Sequence, residues 1–154
     1  MNEYQKERFV TRLLDSMFNT VSGKRIAILG YAFKKDTNDA RESPAIGICG
    51  RLLEEKANLA IYDPRVSKES ILGTLGWSAE QAEGRIDFCQ SADEACKESH
   101  AIALLTEWDE FKKLKPVNFA QMSNKLVIDG RRILDHNIFA NSDVNLITIG
   151  RKHS

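Results

Sequence analysis

The chain has 154 residues, with 22 lysines and arginines against 22 aspartates and glutamates and a net charge of zero. That length suits one ordinary domain with a real core. The balanced charge excludes a general electrostatic pull toward nucleic acid or a membrane surface, while leaving room for local basic sites. No apolar run approaches the roughly 20 residues of a membrane span, and the polar start "MNEYQKERFV" has no signal-peptide pattern. The cysteines Cys49, Cys89 and Cys96 are odd in number and form no CxxC; Cys49 and Cys89 sit among apolar neighbours. They read as buried, reduced thiols of a cytoplasmic protein rather than a disulfide framework or a metal site.

In chain order, residues 3–21 come first. Phe9, Val10, Leu13, Leu14, Met17, Phe18 and Val21 fall on one helical stripe, and Gly23 is placed to stop that helix. This stripe needs a partner surface, either its own domain or a second copy. A short buried strand follows at 25–29, "RIAIL", and then a helix at 43–56, with Ser43 as cap and Pro44 at its first position. Strands at 58–62, 85–89, 100–105, 125–129 and 145–149 then alternate with helical or polar stretches at 67–75, 91–98, 109–122 and 135–141. Strict alternation of this kind predicts an α/β fold: a Rossmann-like, doubly wound parallel sheet of about six strands with helices on both faces. There is no internal repeat, low-complexity tract or clear linker.

In such sheets ligands bind beyond the carboxyl ends of the strands, where the strand order reverses. The first of these loops, "GYAFKKDTNDARESPA" at 30–45, has one glycine where a dinucleotide fingerprint has three. If the order is the common 3-2-1-4-5-6, loops 1 and 4 flank the crevice and loop 5 lies next to it. Phe33, Lys34, Arg131 and Arg132 would then converge. Arginine answers phosphate as a fork and lysine as a point charge. Taken singly, each feature has an ordinary explanation. A Lys-Lys pair is commonly solvated surface, and "DGRR" contains a routine Asp-Gly turn. Asp63 stands where a ribose-binding acid often stands, but Pro64 makes a turn role at least as good. "TEWD" reads best as a helix start, with Thr106 or Asp109 capping and Trp108 packing. His100 reads as structural, His136 and His153 as surface residues. No pair looks like a nucleophile with its base.

The combination says more. "KRIAILGYAFKKDTNDARESPA", then "YDP", "TEW" and "DGRR", in this order and at these spacings, closely resembles the C-terminal domain of the UDP-glucose 6-dehydrogenases, within the UDP-glucose/GDP-mannose dehydrogenase family. The resemblance covers essentially the whole chain, and "FKKDTNDARES" is closer in form to the eukaryotic-type UDP-glucose enzymes than to the GDP-mannose ones. It implies that residues 1–22 are the end of a central interdomain helix and 23–154 a nucleotide-sugar-binding domain. By the same resemblance Phe33, Lys34 and Arg131 contact the UDP-sugar, and Arg41 reaches across a cleft to NAD. It also implies that a separate N-terminal domain binds most of the NAD, and that subunits pair through the central helix. The family oxidises the sugar C6 alcohol to a carboxylate in two NAD-dependent steps, with a cysteine, a lysine and an aspartate that lie N-terminal to the region seen here. The chain is therefore expected to be an excised part of a longer cytoplasmic enzyme, with no catalytic residue of its own and no activity alone. The alternatives are the same domain of a UDP-N-acetylmannosamine or GDP-mannose dehydrogenase, and a stand-alone doubly wound or receiver-like module. Lys34 and Arg131 argue against the last.

Overall fold

The computed structural model of the chain describes residues 3–17 and 20–149. Its centre is a sheet of strands β1 (Arg25–Leu29), β2 (Asn58–Tyr62), β3 (Ile86–Phe88), β4 (Ala101–Leu104), β5 (Leu126–Asp129) and β6 (Asn145–Thr148). They stand in the order β3-β2-β1-β4-β5-β6, and every neighbouring pair is parallel. The order expected for a doubly wound sheet is therefore the one observed, and the reversal falls between β1 and β4. Ile26, Ala27, Ile28 and Leu29 of β1 and all of Ala101–Leu104 are fully buried. Strands covered on both faces read as continuous apolar runs, which is how "IAIL" and "AIAL" read. The edge strand β6 is more open, and Asn145 is exposed.

Helix α1 (Glu3–Ser16) lays Phe9, Val10, Leu13 and Met17 into the core of its own domain, each at most 5% exposed, and packs against α2 (Pro44–Glu54). The apolar stripe thus finds its partner within the chain; its member Phe18 lies outside the described residues. Gly130 is what lets α1 come so close. A β-carbon there would lie 2.9 Å from Phe9 Cε2 and 3.1 Å from Leu104 O. The helix ends earlier than expected. Met17 N is shared between Leu13 O and Leu14 O at 3.1 Å each, the three-centre pattern of a helix end. Gly23, at φ +74°, serves a later turn before β1, where its N–H bonds Lys56 O.

The start of α2 is as read: the Ser43 side chain accepts from Ala45 N, and Pro44 opens the helix. Helix α3 (Lys68–Leu75) is capped by Ser67 and closed by Gly76 in the left-handed region. A short α4 (Ala79–Ala82), held by a Ser78–Gln81 capping box, was not expected from the sequence. α5 (Ala92–Cys96) and α7 (His136–Phe139) are shorter than the stretches predicted. The stretch 109–122, read as helical or polar, is divided into two short pieces, α6 (Asp109–Lys112) and a 3-10 turn at Pro116–Phe119. Pro116 is the cause: the residue before a proline is driven out of the helical region, and Lys115 is extended at φ −129°, ψ 167°.

Candidate functional site

Loops 1, 4 and 5, which follow β1, β4 and β5, share the carboxyl edge of the sheet at its reversal. They are held against one another by backbone and side-chain contacts. Gly30 sits at φ +97°, and a β-carbon on it would lie 2.5 Å from Thr106 Cβ; only glycine permits that approach. The Thr106 hydroxyl, fully buried, donates to Ala32 O at 2.9 Å. The expectation that Thr106 or Asp109 caps α6 is therefore corrected. Thr106 is spent on loop 1, Asp109 pairs with lysines, and the N-cap position before α6 is Trp108, which makes no side-chain cap.

Asp63 organises loop 1. Its Oδ2 accepts from Tyr31 N at 2.7 Å, Ala32 N at 2.8 Å and Trp108 Nε1 at 3.0 Å. Its Oδ1 accepts from Arg65 N at 2.8 Å and Val66 N at 3.1 Å. Of the two readings left open for Asp63, the turn role is the one seen. The consequence is chemical. The first backbone N–H groups after β1 are those that cradle a pyrophosphate in a dinucleotide fold, and here a carboxylate already occupies them. The Tyr31 side chain is buried, with its hydroxyl 2.8 Å from Thr74 Oγ1. Loop 1 has no free amide cradle at this point, and what it offers outward is side chains. Phe33 is 48% exposed and Lys34 is exposed. The Phe33 N–H closes the loop on Asp39 O at 2.9 Å.

Asp129 does for loop 5 what Asp63 does for loop 1. It is fully buried at the end of β5. Its Oδ1 accepts from Arg131 N at 3.0 Å and Arg132 N at 2.7 Å, and its Oδ2 from Ile133 N and Leu134 N at 2.8 Å each. Four N–H donors compensate the burial of the charge. They also wrap the backbone tightly enough to put Arg132 at φ +61°. In the sequence this aspartate is half of a routine Asp-Gly turn. The signal available was an acid closing an apolar strand ahead of a run of polar loop amides.

The cations on these loops are held from loop 4. Arg131 Nη2 lies 3.1 Å from Glu107 Oε1, with the two side chains 28% and 25% exposed. Lys35 Nζ lies 3.2 Å from Asp109 Oδ1. Arg41 stands apart: its side chain is 84% exposed and makes a two-pronged contact with Asp39 at 3.1 Å on each oxygen. So Arg131 and Lys35 are both tied to loop 4, Phe33 and Lys34 are exposed on loop 1, and Arg41 is paired within its own loop.

The three thiols are free and buried. Burial pushes Cys89 and Cys96 up to about 12 and Cys49 up as well, the opposite of an activated nucleophile. Cys89 lies with Asp87 and Glu94 in a cluster of metal-ligand type. The Arg25 guanidinium takes the cation's place there, bonding Asp87 Oδ2 at 3.0 Å and Glu94 O at 3.1 Å, with Cys89 Sγ at 3.9 Å. His100 Nδ1 accepts from Arg25 N at 3.4 Å and plays a structural part at the opposite edge of the sheet. His136 contacts Thr148, and His153 lies outside the described residues. Among the described residues, no helix is long and apolar enough to cross a membrane.

An open parallel sheet with its strand reversal flanked by cationic loops defines a nucleotide-type binding domain. Comparison with known proteins narrows the class. Residues 27–136 match the model of the UDP-glucose/GDP-mannose dehydrogenase family, UDP binding domain. UDP-glucose 6-dehydrogenase 1 of Arabidopsis thaliana is 46% identical over 151 residues, covering 88% of this chain and 31% of the relative. UDP-glucose 6-dehydrogenase of Drosophila melanogaster is 44% identical over 160 residues, covering 99% and 34%. The chain thus spans about a third of the length of these curated relatives. A UDP-glucose dehydrogenase structure from Pyrobaculum islandicum superposes with a TM-score of 0.69 at 24% identity, over 97% of this chain and 30% of that one, and supports the fold. The chain belongs to the UDP-glucose/GDP-mannose dehydrogenase family, as its UDP binding domain.

Proposed function

We propose that the chain is the UDP-sugar-binding C-terminal part of a UDP-glucose 6-dehydrogenase, an NAD-dependent enzyme that oxidises UDP-glucose to UDP-glucuronate. The observation that carries this is the set of loops at the sheet reversal: Arg131 of loop 5 bound to Glu107 of loop 4, Lys34 exposed on loop 1, and the loop 1 amides taken by Asp63. Lys34 and Arg131 engage the anionic nucleotide-sugar, the arginine as a fork and the lysine as a point charge. Phe33, half exposed, gives the same wall an aromatic face for a base or sugar. Arg41, exposed and paired with Asp39 within loop 1, contributes to NAD across the cleft to an N-terminal half. NAD supplies hydride acceptance at the sugar C6. This chain offers that cofactor no pyrophosphate cradle at loop 1, so another domain holds most of it. Residues 1–22 are the end of the interdomain helix, residues 23–154 the UDP domain, and the parent pairs through the central helix in the cytoplasm.

The test is a pair of titrations, UDP and NAD separately, on the full-length protein. A charge-assisted contact is worth roughly 1.5–3 kcal/mol, so Arg131→Ala and Lys34→Ala each weaken UDP binding by about ten- to a hundredfold. Arg41→Ala weakens NAD and leaves UDP nearly unchanged. The reverse pattern, with UDP lost in Arg41→Ala and kept in the other two, would show that the loops are wrongly assigned.

A further inference from the structure

Glu107 lies at the join of the three loops, and nothing in the binding role set out above uses it. Its Oε1 is closed off from solvent and receives no hydrogen bond of good alignment. What faces it is the charge of Arg131 Nη2 at 3.1 Å. Both side chains are about three-quarters covered, with relative exposures of 28% and 25%. A carboxylate oxygen closed off from solvent is costly to keep, and a cation fixed beside it offsets that cost. The pair is also placed by rigid neighbours on both sides. The Arg131 backbone is held by the buried Asp129. Glu107 stands between Thr106, bonded to loop 1, and Trp108, bonded to Asp63.

We infer that Glu107 is the positioning residue for Arg131: it holds the guanidinium by one nitrogen, so that the fork is already oriented when the nucleotide phosphates arrive. This rests on the proposed role of Arg131 in UDP binding. Two effects of opposite sign compete at such a residue. As a negative charge near the phosphates, Glu107 repels the ligand. As a holder of a long, flexible side chain, it removes ordering cost from the binding step. The burial of the pair and the fixed backbones on both sides favour the second, because a mere counter-charge needs no sealed geometry.

The experiment is a UDP titration by calorimetry on the full-length protein, with Glu107→Ala, Glu107→Gln, Arg131→Ala and the Glu107→Ala/Arg131→Ala double variant, each checked by its melting curve. Glu107→Ala raises the UDP dissociation constant about three- to tenfold, within the usual coupling range between contacting residues. Glu107→Gln keeps an acceptor oxygen and raises it less, which preserves the test if the alanine variant fails to fold. In the Arg131→Ala background the further effect of Glu107→Ala disappears, because the glutamate acts through that arginine. Unchanged or tighter UDP binding in both Glu107 variants would overturn the inference and make the residue a counter-charge only. An effect that persists undiminished in the Arg131→Ala background would also overturn it, and would assign Glu107 to the fold. If Arg131→Ala itself leaves UDP binding unchanged, the reading of the site fails and this inference falls with it.

Discussion

The indole N–H of Trp108 donates to Asp63 Oδ2 at 3.0 Å, although β1 lies between the strands that carry the two residues. The bond straps loop 1 down from both sides, since the same oxygen takes the Tyr31 and Ala32 amides. An asparagine at 63 has one acceptor oxygen where the aspartate has two. Whichever way it turns, its amide nitrogen faces N–H donors, either those of loop 1 and Trp108 or those of Arg65 and Val66. Asp63→Asn is therefore expected to destabilise the fold by about 2–4 kcal/mol, as for lost hydrogen bonds to a charged group. Chemical denaturation reads it. A loss within 0.5 kcal/mol would refute the strap.

Gly130 is required for contact rather than for backbone freedom. The β-carbon of Gly130→Ala meets Phe9 Cε2 at 2.9 Å and Leu104 O at 3.1 Å. The carbonyl belongs to β4 and cannot yield, so α1 must shift. The expected cost is about 1–3 kcal/mol, the usual range for overpacking. Hydrogen exchange should accelerate first in α1. Exchange faster in β4 and β5 than in α1 would contradict this account.

The thiols set an alkaline limit. Burial raises Cys89 and Cys96 from the ordinary 9.0 to about 12, and Cys49 rises for the same reason. Above pH 9 the unfolded chain releases these protons while the folded chain keeps them. Stability is thus whole below pH 9 and falls as pH rises from there toward 12. The urea midpoint should drop between pH 8 and pH 10.5, and a thiol reagent at pH 8 should label the protein only once it unfolds. A constant midpoint, or fast labelling of the folded protein, would show the thiols to be accessible.

Those thiols also bear on catalysis. The 154-residue chain with UDP-glucose and NAD is expected to form no NADH, because burial raises the pKa of all three thiols and loop 1 makes no dinucleotide cradle. Absorbance at the NADH band is the measurement. Turnover by the pure chain would defeat the proposed division of labour.

Much of the architecture was legible in the sequence. Buried parallel strands carry continuous apolar runs, so the six strands and their alternation with helices could be read locally. The caps of α2 and α3 are local as well: Ser43 and Ser67 accept from amides two or three residues on, and Pro44 suits the first helical position by its own fixed φ. The break at Pro116 is legible too, since a proline bars the residue before it from the helical region.

The sequence by itself determined the alternation, the loops that end at the sheet's carboxyl edge and, through the ordered motifs, the family. Tertiary structure alone decided what those loops do with their polar groups. Asp63 and Asp129 look alike on paper, as acids closing strands. The amide partners of Asp129 lie two to five residues on, whereas only folding sets the Asp63 carboxylate against the Tyr31 and Ala32 amides and an indole, and the Asp63–Trp108 pair is separated by 45 residues. Glu107 could not be matched to Arg131, nor Gly130 to Phe9, before β1, β4 and β5 stood side by side. A hydrogen bond or ion pair acts over a few ångströms of space, and distance along the chain says nothing of it until the sheet has chosen its order.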